Sequence, residues 1–258
     1  MGRDLSRYNI IGSSRPMREL AEWVYTAAPL WDTIIITGER GTGKELLSRA
    51  IHRLGPTKGA EPVIVDCASL HPATVESVLF GHERGSFTGA VHRHVGFLES
   101  AHNGTIFLDE IGLLPLELQG RFLRFLEEKT LTRIGASKAI HVRARIIAAT
   151  NRRLETEAKQ GRFLPDLRDR LSVLPIATPP LREREDDLFL LAAHFLETEP
   201  RERFTQDALE FLKTYPFPGN VRELRNLCRR VSVFCRSEKI SRDDLTRYLD
   251  YDGEREES

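Results

Sequence analysis

The sequence predicts an α/β fold with a three-layer parallel sheet, followed by a small helical subdomain. Two observations predict it: short apolar runs alternate with helical patterns through the first part of the chain, and only helical periodicity remains from about residue 183. Strands that are apolar nearly throughout are typical of a parallel sheet covered on both faces, and their alternation with helices indicates a doubly wound arrangement. We therefore expect an α/β subdomain over 1–182, a helical subdomain over 183–250 and a frayed, charged tail over 251–258.

Each element follows from a local pattern. The predicted strands are Thr33–Thr37, Pro62–Asp66, Thr105–Asp109, Val142–Thr150 and Val173–Ala177. The helical patterns are Lys44–Leu54 and Leu116–Glu128 among the strands, then Asp187–Glu197, Thr205–Thr214, Asn220–Ser237 and Ser241–Leu249. Thr205 and Ser241 stand just before acidic first turns, where a hydroxyl residue is a typical N-cap.

Composition gives no support to several classes of function, although local basic patches remain possible. The 258 residues contain 38 Lys+Arg and 38 Asp+Glu, so a net charge of zero gives no case for broad binding to nucleic acid or membrane surfaces. Cys67, Cys228 and Cys235 form no CxxC pair, which favours reduced thiols. No apolar run is long enough to span a membrane and no secretory signal opens the chain. We expect a soluble cytoplasmic protein.

A glycine-rich loop follows the first predicted strand and precedes a predicted helix. Its residues are Gly38, Glu39, Arg40, Gly41, Thr42, Gly43, Lys44 and Glu45. They match G-x-x-x-x-G-K in the strand–loop–helix context that makes this pattern specific for phosphate binding. Glycines let backbone N–H groups turn toward the phosphates, and Lys44 can reach the β- and γ-phosphates. The generic pattern ends in Ser or Thr, so Glu45 taken alone argues against hydrolysis.

Polar residues end two of the predicted strands. Asp109 and Glu110 end the third strand, where an Asp of P-loop NTPases holds magnesium and a neighbouring Glu can polarise the attacking water. Thr150 and Asn151 close the fourth, where an amide can sense the γ-phosphate or orient water. Solvated acids and a strand-ending turn are the alternatives.

Arginines mark two further segments. The segment 161–171 contains Arg162, Arg168 and Arg170. They form either a charged helix face or a source of an arginine that reaches the γ-phosphate across a subunit interface. Pro218–Leu224 reads as a turn, an Asn cap and a helix start that places Arg222 in the first turn, from which it could reach back to the nucleotide.

In this order, the motifs resemble the AAA+ domain of bacterial enhancer-binding proteins, the activators of sigma-54 RNA polymerase, from about residue 9 to residue 249. The most specific element is Phe80–Ala90, which reads GSFTGA where the family signature is GAFTGA. Other closely matching stretches are Gly38–Glu45, Thr105–Glu110, Pro180–Glu183 and Pro218–Leu224. Glu45 is what this family carries at the end of its phosphate loop, which removes the objection to hydrolysis.

The resemblance implies a P-loop AAA+ fold with a C-terminal helical lid. It implies that Gly38–Glu45 bind ATP phosphates, that Asp109 holds magnesium and that Glu110 activates water. Thr150 and Asn151 would form the first sensor. The second sensor would be Arg222, and the segment lining the adenine pocket would comprise Ile10, Ile11 and Gly12.

The resemblance also implies a bacterial, cytoplasmic homo-oligomer, usually a hexamer, with ATP between subunits and with sigma-54 and RNA polymerase holoenzyme as partners. The loop that contacts sigma-54 would consist of Gly85, Ser86, Phe87, Thr88, Gly89 and Ala90. Phe87 and Thr88 would form its mobile tip, and a second loop near Leu131–Ser137 would move with it. Ser86 replaces an Ala of the family signature, a change that we expect to be tolerated.

Two departures bear on hydrolysis. The family usually has Asn at the position of Asp66, the residue thought to restrain the catalytic glutamate, and an ionised Asp66 would repel Glu110 if they were close. The family also usually has an Arg at the position of Leu164, six residues before the Arg that matches Arg170. Arg162 and Arg168 are the candidates to replace it, although an offset of two or four residues changes the direction of the side chain.

Three hypotheses follow. The first is an oligomeric ATPase that remodels the polymerase through the GSFTGA loop. The second is a nucleotide-binding regulatory module with weak or no hydrolysis, which Asp66 and Leu164 motivate. A generic AAA+ unfoldase or clamp loader is disfavoured because those families lack the GSFTGA insertion. The sequence carries no DNA-binding domain, so we expect either an excised catalytic core or an activator that works without its own DNA contact.

Overall fold

A computed structural model describes residues 4–71, 73–184 and 186–249 of the chain. It contains two compact units. The lid unit comprises the described residues within 1–22, 39–43 and 178–258, and the sheet unit comprises 23–38 and 44–177. The predicted frayed tail at 251–258 lies outside the described residues, and the predicted division of the chain near residue 182 stays a prediction.

A five-stranded parallel sheet forms the centre of the sheet unit, which confirms the predicted fold class. The strands in chain order are β1 Ile34–Thr37, β2 Val63–Asp66, β3 Thr105–Asp109, β4 Thr130–Thr132, β5 Ala139–His141, β6 Arg145–Thr150 and β7 Leu174–Ala177. The parallel sheet has the order β2-β3-β6-β1-β7, and β4 and β5 form a separate antiparallel hairpin. The apolar residues of the inner strands β3, β6 and β1 are buried, as is typical of a parallel sheet whose faces are covered by helices.

One predicted strand is too long. The run predicted as Val142–Thr150 joins the sheet only from Arg145. The physical reason is a competing partner: the N–H of Val142 donates to the carbonyl of Lys129 beside the β4–β5 hairpin, so the chain reaches β3 only afterwards. The other predicted strands and the helices differ from the structure by a few residues at most.

Helices cover the sheet and build the lid unit. Helix α1, Arg15–Ala27, runs through both units. The helices of the sheet unit are α2 Lys44–Leu54, α3 Val75–Phe80, α4 Phe97–Ser100, α5 Leu116–Glu128, α6 Leu154–Lys159 and α7 Pro165–Leu171. Helices α2 and α5 match the prediction residue by residue. Their apolar residues pack into one core with the strands, with Phe122, Phe125 and Leu126 of α5 at its centre.

The lid unit is helical, as predicted. Its helices are α8 Asp187–Leu196, α9 Pro200–Arg203, α10 Gln206–Thr214, α11 Asn220–Phe234 and α12 Arg242–Leu249. They enclose a second apolar core that includes Leu191, Leu224 and Val231. No helix among the described residues is long and apolar enough to cross a membrane.

The three predicted helix caps have different outcomes. Ser241 caps α12, since its Oγ accepts the Asp244 N–H at 3.2 Å while Asp244 accepts the Ser241 N–H in return. Thr205 occupies the N-cap position of α10, but its hydroxyl lies against Asp207 and the Ile240 carbonyl and does not cap the helix. The predicted Asn cap of α11 is wrong: Gly219 is the N-cap, and the side chain of Asn220 bonds elsewhere.

Candidate functional site

The carboxyl ends of the parallel strands bring several predicted site residues to one edge of the sheet. Thr37 at the end of β1 pairs in register with Thr150 at the end of β6, and Asp66 at the end of β2 pairs with Asp109 at the end of β3. The Gly38 N–H donates to the Thr150 carbonyl at 3.3 Å, so the phosphate loop leaves the sheet beside the first predicted sensor. In open α/β sheets, ligands bind at this edge.

Lys44 begins α2 and points along this edge. Its side chain is buried, and Nζ donates to the Gly38 carbonyl at 3.0 Å. Nζ also lies 3.9 Å from the Glu110 carboxylate. The structure therefore brings the predicted phosphate-binding cation and the predicted general base together, although 66 positions separate them in the sequence.

Glu110 adopts a left-handed backbone conformation, with φ 50° and ψ 45°. Such a conformation is uncommon for a residue other than glycine, and it turns the chain sharply after β3. The Glu110 carboxylate accepts the backbone N–H of Asn151 at 3.1 Å. The two predicted catalytic positions at the ends of β3 and β6 are thus in direct contact.

The charge of this edge is predominantly negative, and the pKa values reflect it. Burial raises the pKa of the Asp109 carboxyl above its ordinary value, and the neighbouring charge of Glu110 adds to the effect. Burial, together with the charges of Asp66, Asp109 and Glu110, raises the pKa of the Cys67 thiol to about 12. Cys67 is therefore an un-ionised thiol at neutral pH. Cys67, Cys228 and Cys235 form no disulfide among the described residues, in agreement with the expected reduced thiols.

Asp66 does not bind Glu110 in this structure. Its carboxylate accepts the Ala68 N–H at 2.9 Å and closes the turn after β2. Its influence on the edge is electrostatic, since its charge raises the pKa of Asp109 further. The backbone of Asn151, which carries no charge, is what holds Glu110.

Phosphate-loop residues 39–43 belong to the lid unit and contact its helices. The Glu39 carboxylate accepts two hydrogen bonds from Arg182, at 2.6 and 2.8 Å, and one from the Asn220 side chain at 3.1 Å. The Arg182 bonds are the main reason why the pKa of Glu39 falls to about 2. The Arg222 N–H donates to the Gly41 carbonyl at 3.3 Å. Sequence reasoning identified Arg222 but missed the roles of Arg182 and Asn220.

The predicted adenine segment is also anchored in the lid unit. Fully buried Asp187 accepts the Ser13 and Ser14 N–H groups at 2.6 and 2.9 Å, and its other oxygen accepts the Ser14 hydroxyl. Arg184 donates to Asp187 at 3.0 Å and to the Ile11 carbonyl at 2.5 Å. A side chain at Gly12 would collide with both charged groups. The only sequence signal for this anchor was an Asp at the start of a predicted helix.

The three arginines of the segment 161–171 differ in availability. Arg162 forms two hydrogen bonds with Glu157, at 2.8 and 2.9 Å, and Arg168 is bonded to Asp169. Arg170 is exposed, and its side chain makes no hydrogen bond or ion pair with any residue that the structure describes. At the position where the resembling family carries a further arginine, Leu164 is half-buried against the core of the sheet unit.

The GSFTGA segment forms a compact turn in the sheet unit. The Gly85 N–H donates to the Ala90 carbonyl at 2.8 Å, and Gly85 and Gly89 both have positive φ angles, of 80° and 101°. Phe87 is 45% exposed, and its ring packs edge-on against His82 with the ring centroids 4.9 Å apart. The predicted tip is thus an exposed phenylalanine ring that packs against His82.

The second predicted loop is the connection of the β4–β5 hairpin, and it contacts the first. The backbone of Ile134 bonds to both Gly81 and Glu83, and buried Arg133 forms ion pairs with Glu83 and Glu99. A side chain at Gly135 would meet the Cβ of Ser86 at 2.5 Å. The Ser86 hydroxyl is buried by this contact and has no hydrogen-bond partner among the residues described.

His92 and His94 lie two positions apart in the sequence, a spacing that is only weak evidence for a metal site without a third ligand. Over residues 4–71, 73–184 and 186–249, no group of three or more His, Cys, Asp or Glu side chains is arranged to hold a metal ion by itself. His94 instead stacks on His82, with ring centroids 5.6 Å apart.

Comparison with known proteins identifies both parts of the chain. Residues 10–177 match the family model described as Sigma-54 interaction domain, and residues 182–258 match the AAA+ ATPase lid domain. The chain is 46% identical to Nitrogen fixation protein AnfA of Azotobacter vinelandii over 243 residues, covering 92% of this chain and 44% of that protein. It is 42% identical to DNA-binding transcriptional regulator NtrC of Rhizobium meliloti (strain 1021) over 245 residues, covering 93% and 51%.

A solved structure of a similar protein has the same fold as this chain. NtrX from Brucella abortus, crystallised in complex with ATP, superimposes with a TM-score of 0.82 at 34% identity, over 91% of this chain and 55% of that one. The chain thus spans about half the length of the curated relatives that it matches.

Proposed function

Since the chain belongs to the sigma-54 interaction domain family and carries an AAA+ lid, we propose that it is an ATP-hydrolysing motor that remodels sigma-54 RNA polymerase to activate transcription. The observation that carries the enzymatic part is the convergence of Lys44, Glu110 and Asn151 at the end of the sheet, next to Asp109. In the proposed site these residues act as the phosphate-binding cation, the general base and the sensor, which are parts that phosphoryl transfer uses.

ATP is the proposed substrate. In the proposed site, the backbone N–H groups of Gly38–Glu45 and the ammonium of Lys44 bind the phosphates, and Arg222 reaches them from the start of α11. The segment 10–12 lines the adenine pocket. The crystallised complex of NtrX with ATP supports this assignment, because the two folds agree over nearly the whole chain.

Magnesium fits the proposed site as a companion of ATP. The cation is usually held by one or two carboxylates together with substrate phosphates and water, so a single carboxylate such as Asp109 suffices. The Asp109 carboxyl is half-buried, and one of its oxygens already accepts the Glu110 N–H, which orients the group. When bound, the ion neutralises charge on the β- and γ-phosphates.

Glu110 is the proposed general base. In this structure its carboxylate is held by the Asn151 N–H and lies close to Lys44. A γ-phosphate beside Lys44 and Asn151 would compete for the same donors, which would free Glu110 to polarise a water molecule. Asn151 would therefore sense the γ-phosphate by exchanging its hydrogen bond to Glu110 for one to the phosphate. Thr150 stabilises the turn that contains Asn151, because the Thr150 hydroxyl accepts the Arg152 N–H.

Arg170 is the proposed trans-acting arginine of a homo-oligomer, which we propose to be a hexamer. It is the arginine of its segment that the described residues leave without an ion pair, so its guanidinium can reach a neighbouring subunit's nucleotide. The GSFTGA turn with Phe87 and Thr88 at its tip is the proposed contact with sigma-54. A cytoplasmic location follows from the proposed partner, RNA polymerase holoenzyme.

A second candidate function is a nucleotide-binding regulatory module with weak or no hydrolysis. One observation favours it: Arg162 and Arg168 are both engaged in ion pairs. Neither is therefore free to replace the arginine that the family usually carries at position 164. Hydrolysis would then depend on Arg170 alone.

Two measurements on the same samples test the proposal. Phosphate release is followed against protein concentration, and co-migration with purified sigma-54 is followed with ADP–aluminium fluoride as a transition-state analogue. We expect turnover per subunit to rise with concentration and sigma-54 to co-migrate. A protein that binds ATP without turnover, and that never binds sigma-54 in any nucleotide state, would support the regulatory module and contradict the motor.

A further inference from the structure

We propose that Asn220 is a positioning residue that fixes the phosphate loop on the first turn of α11, and so sets the affinity for nucleotide. The inference rests on the proposed ATP-binding role of that loop. Asn220 lies two positions before Arg222, the predicted second sensor, and its side chain is fully buried in the lid unit. In this proposal Asn220 acts through its bonds to Glu39 and Arg40 and not through contact with nucleotide.

The hydrogen bonds of the Asn220 side chain connect three segments of the chain. Its carbonyl oxygen accepts the Leu181 N–H at 2.8 Å. Its amide nitrogen donates to the Arg40 carbonyl at 3.0 Å and to the Glu39 carboxylate at 3.1 Å. Both N–H groups and the carbonyl are thereby used, so the amide is satisfied in one orientation only.

Other residue types do not reproduce this arrangement. Asn220 has a positive φ of 54°, a conformation in which Asn is several-fold enriched over most side chains. An Asp could still accept from Leu181 but would have no N–H to donate and would place a second carboxylate beside Glu39. An Ala would leave the buried Leu181 N–H and the Arg40 carbonyl without these partners.

Two more contacts show that the loop is held against the helix start. A side chain at Gly41 would collide with the carbonyl of Gly219, so the loop backbone lies directly on the first turn of α11. The Arg182 guanidinium also donates two hydrogen bonds to the Glu39 carboxylate. Asn220 is the buried member of this cluster, and Arg182 is about half exposed.

The proposed role of Asn220 bears on how well the phosphate loop is ordered for nucleotide binding. Phosphate-loop N–H groups bind phosphates only when the backbone holds them in a fixed concave arrangement. If Asn220 holds the backbone at Arg40 and the side chain at Glu39, the loop is ordered before nucleotide arrives, and less binding free energy is lost in ordering it. Removing Asn220 should weaken nucleotide binding although no atom that contacts nucleotide changes.

The test uses Asn220→Ala, Asn220→Asp and the double variant Glu39→Gln/Asn220→Asp. The double variant exchanges the donor and the acceptor: an amide at position 39 can donate to a carboxylate at position 220. The matched control is Val231→Ala, a fully buried residue of the same helix about 16 Å further along it. It lowers the stability of the lid without touching the loop.

Two readouts separate the positioning role from the proposed function. Hydrogen–deuterium exchange at residues 40–43 is measured without nucleotide, and the Kd for the non-hydrolysable analogue AMP-PNP with magnesium is measured by calorimetry. We expect Asn220→Ala to speed exchange and to raise the Kd by about tenfold each, Asn220→Asp to have at least this effect, and the double variant to recover part of the loss. Val231→Ala should leave both values near those of the parent.

Parent-like exchange and affinity in Asn220→Ala would overturn the inference. Equal losses in Val231→Ala at matched thermal stability would overturn it as well, because the effect would then reflect lid stability in general. If the parent protein binds no nucleotide, the proposed function fails, and the exchange rates alone decide whether Asn220 holds the loop.

Discussion

The carboxylate of Glu110 accepts the backbone N–H of Asn151 at 3.1 Å. This bond joins the residue that follows β3 to the residue that follows β6, and these strands are direct neighbours in the sheet. In this structure the bond couples the position of the proposed base to that of the proposed sensor.

Replacing Glu110 by Gln should abolish turnover and preserve ATP binding. The amide is close in size to the carboxylate but cannot take a proton from water, and a positioned general base contributes about 10²- to 10⁴-fold in rate. Phosphate release and AMP-PNP binding are measured together, with Glu117→Gln on the exposed start of α5 as the control. Parent-like phosphate release from Glu110→Gln would show that another group is the base.

Replacing Arg170 by Ala should remove the rise of turnover with protein concentration, with a loss of about 10³-fold or more in rate. Arg162→Ala is the matched control: it lies in the same segment, but its guanidinium is held by Glu157. It should lower turnover by no more than a few-fold. The reverse ranking would mean that Arg162 leaves Glu157 in the assembled protein and acts in trans.

Glu39 should make the folded protein sensitive to acid between about pH 4.5 and pH 2. Its pKa falls from 4.5 to about 2 on folding, mainly through the Arg182 hydrogen bonds, so its stabilising contribution is complete above pH 4.5 and is lost as the pH falls through 2. Because both side chains are almost half exposed, we expect a contribution of only about 1 kcal/mol.

Denaturant unfolding of the parent and Glu39→Gln over pH 2–7 measures this contribution. The parent should be the more stable protein at pH 6, and the difference should disappear toward pH 2. A difference that stays constant with pH would show that the ionised carboxylate is not what stabilises the loop.

Replacing Ser86 by Ala should stabilise the packed form of the GSFTGA turn. The Ser86 hydroxyl is buried against Gly135 without a hydrogen-bond partner among the described residues, and such a group costs about 1–3 kcal/mol. We expect slower hydrogen–deuterium exchange at residues 85–90 in Ser86→Ala. Ser100→Ala, which removes an exposed hydroxyl bonded to Phe97, should leave exchange there unchanged. Faster exchange in Ser86→Ala would show that the hydroxyl supports the packed turn.

Sequence patterns predicted the parts of the fold that depend on local signals. The strand Thr105–Asp109 and the helices Lys44–Leu54 and Leu116–Glu128 have the predicted bounds, because buried apolar runs and helical periodicity are continuous there. The start of β6 could not be predicted, since it depends on a hydrogen bond from Val142 to Lys129 in another segment.

The same distinction holds for the candidate site. Lys44, Asp109 and Glu110 lie within recognisable motifs, so their assignment required no structure. The partners of Asn220, Asp187 and Arg162 could not be deduced, because each side chain could equally have bonded to residues next to it in the sequence or to solvent. Only tertiary contacts show that Asn220 bonds to the phosphate loop and not to its own helix.

Replacing Phe87 or Thr88 by Ala should abolish sigma-54 binding and leave most of the ATP hydrolysis intact. Phe87 is exposed at the tip of the turn and contacts His82, while the proposed catalytic groups are Lys44, Asp109 and Glu110. Truncating the tip should therefore leave a substantial part of the ATPase activity, because no group that binds phosphate or water is removed. Loss of an exposed aromatic anchor should abolish productive contact with sigma-54, since truncating such an anchor typically costs about 2 kcal/mol or more.

The assay for these variants runs co-migration with sigma-54 in ADP–aluminium fluoride beside phosphate release, and it adds promoter opening by the polymerase. Val95→Ala is the control, because Val95 is an equally exposed apolar residue that follows the same turn in the chain. It should bind sigma-54 as the parent does. If Phe87→Ala also binds as the parent does, the loop assignment is wrong and the ATPase assignment stands. If Phe87→Ala loses phosphate release together with sigma-54 binding, ATP hydrolysis and partner binding both depend on Phe87, and the proposed division between the two is wrong.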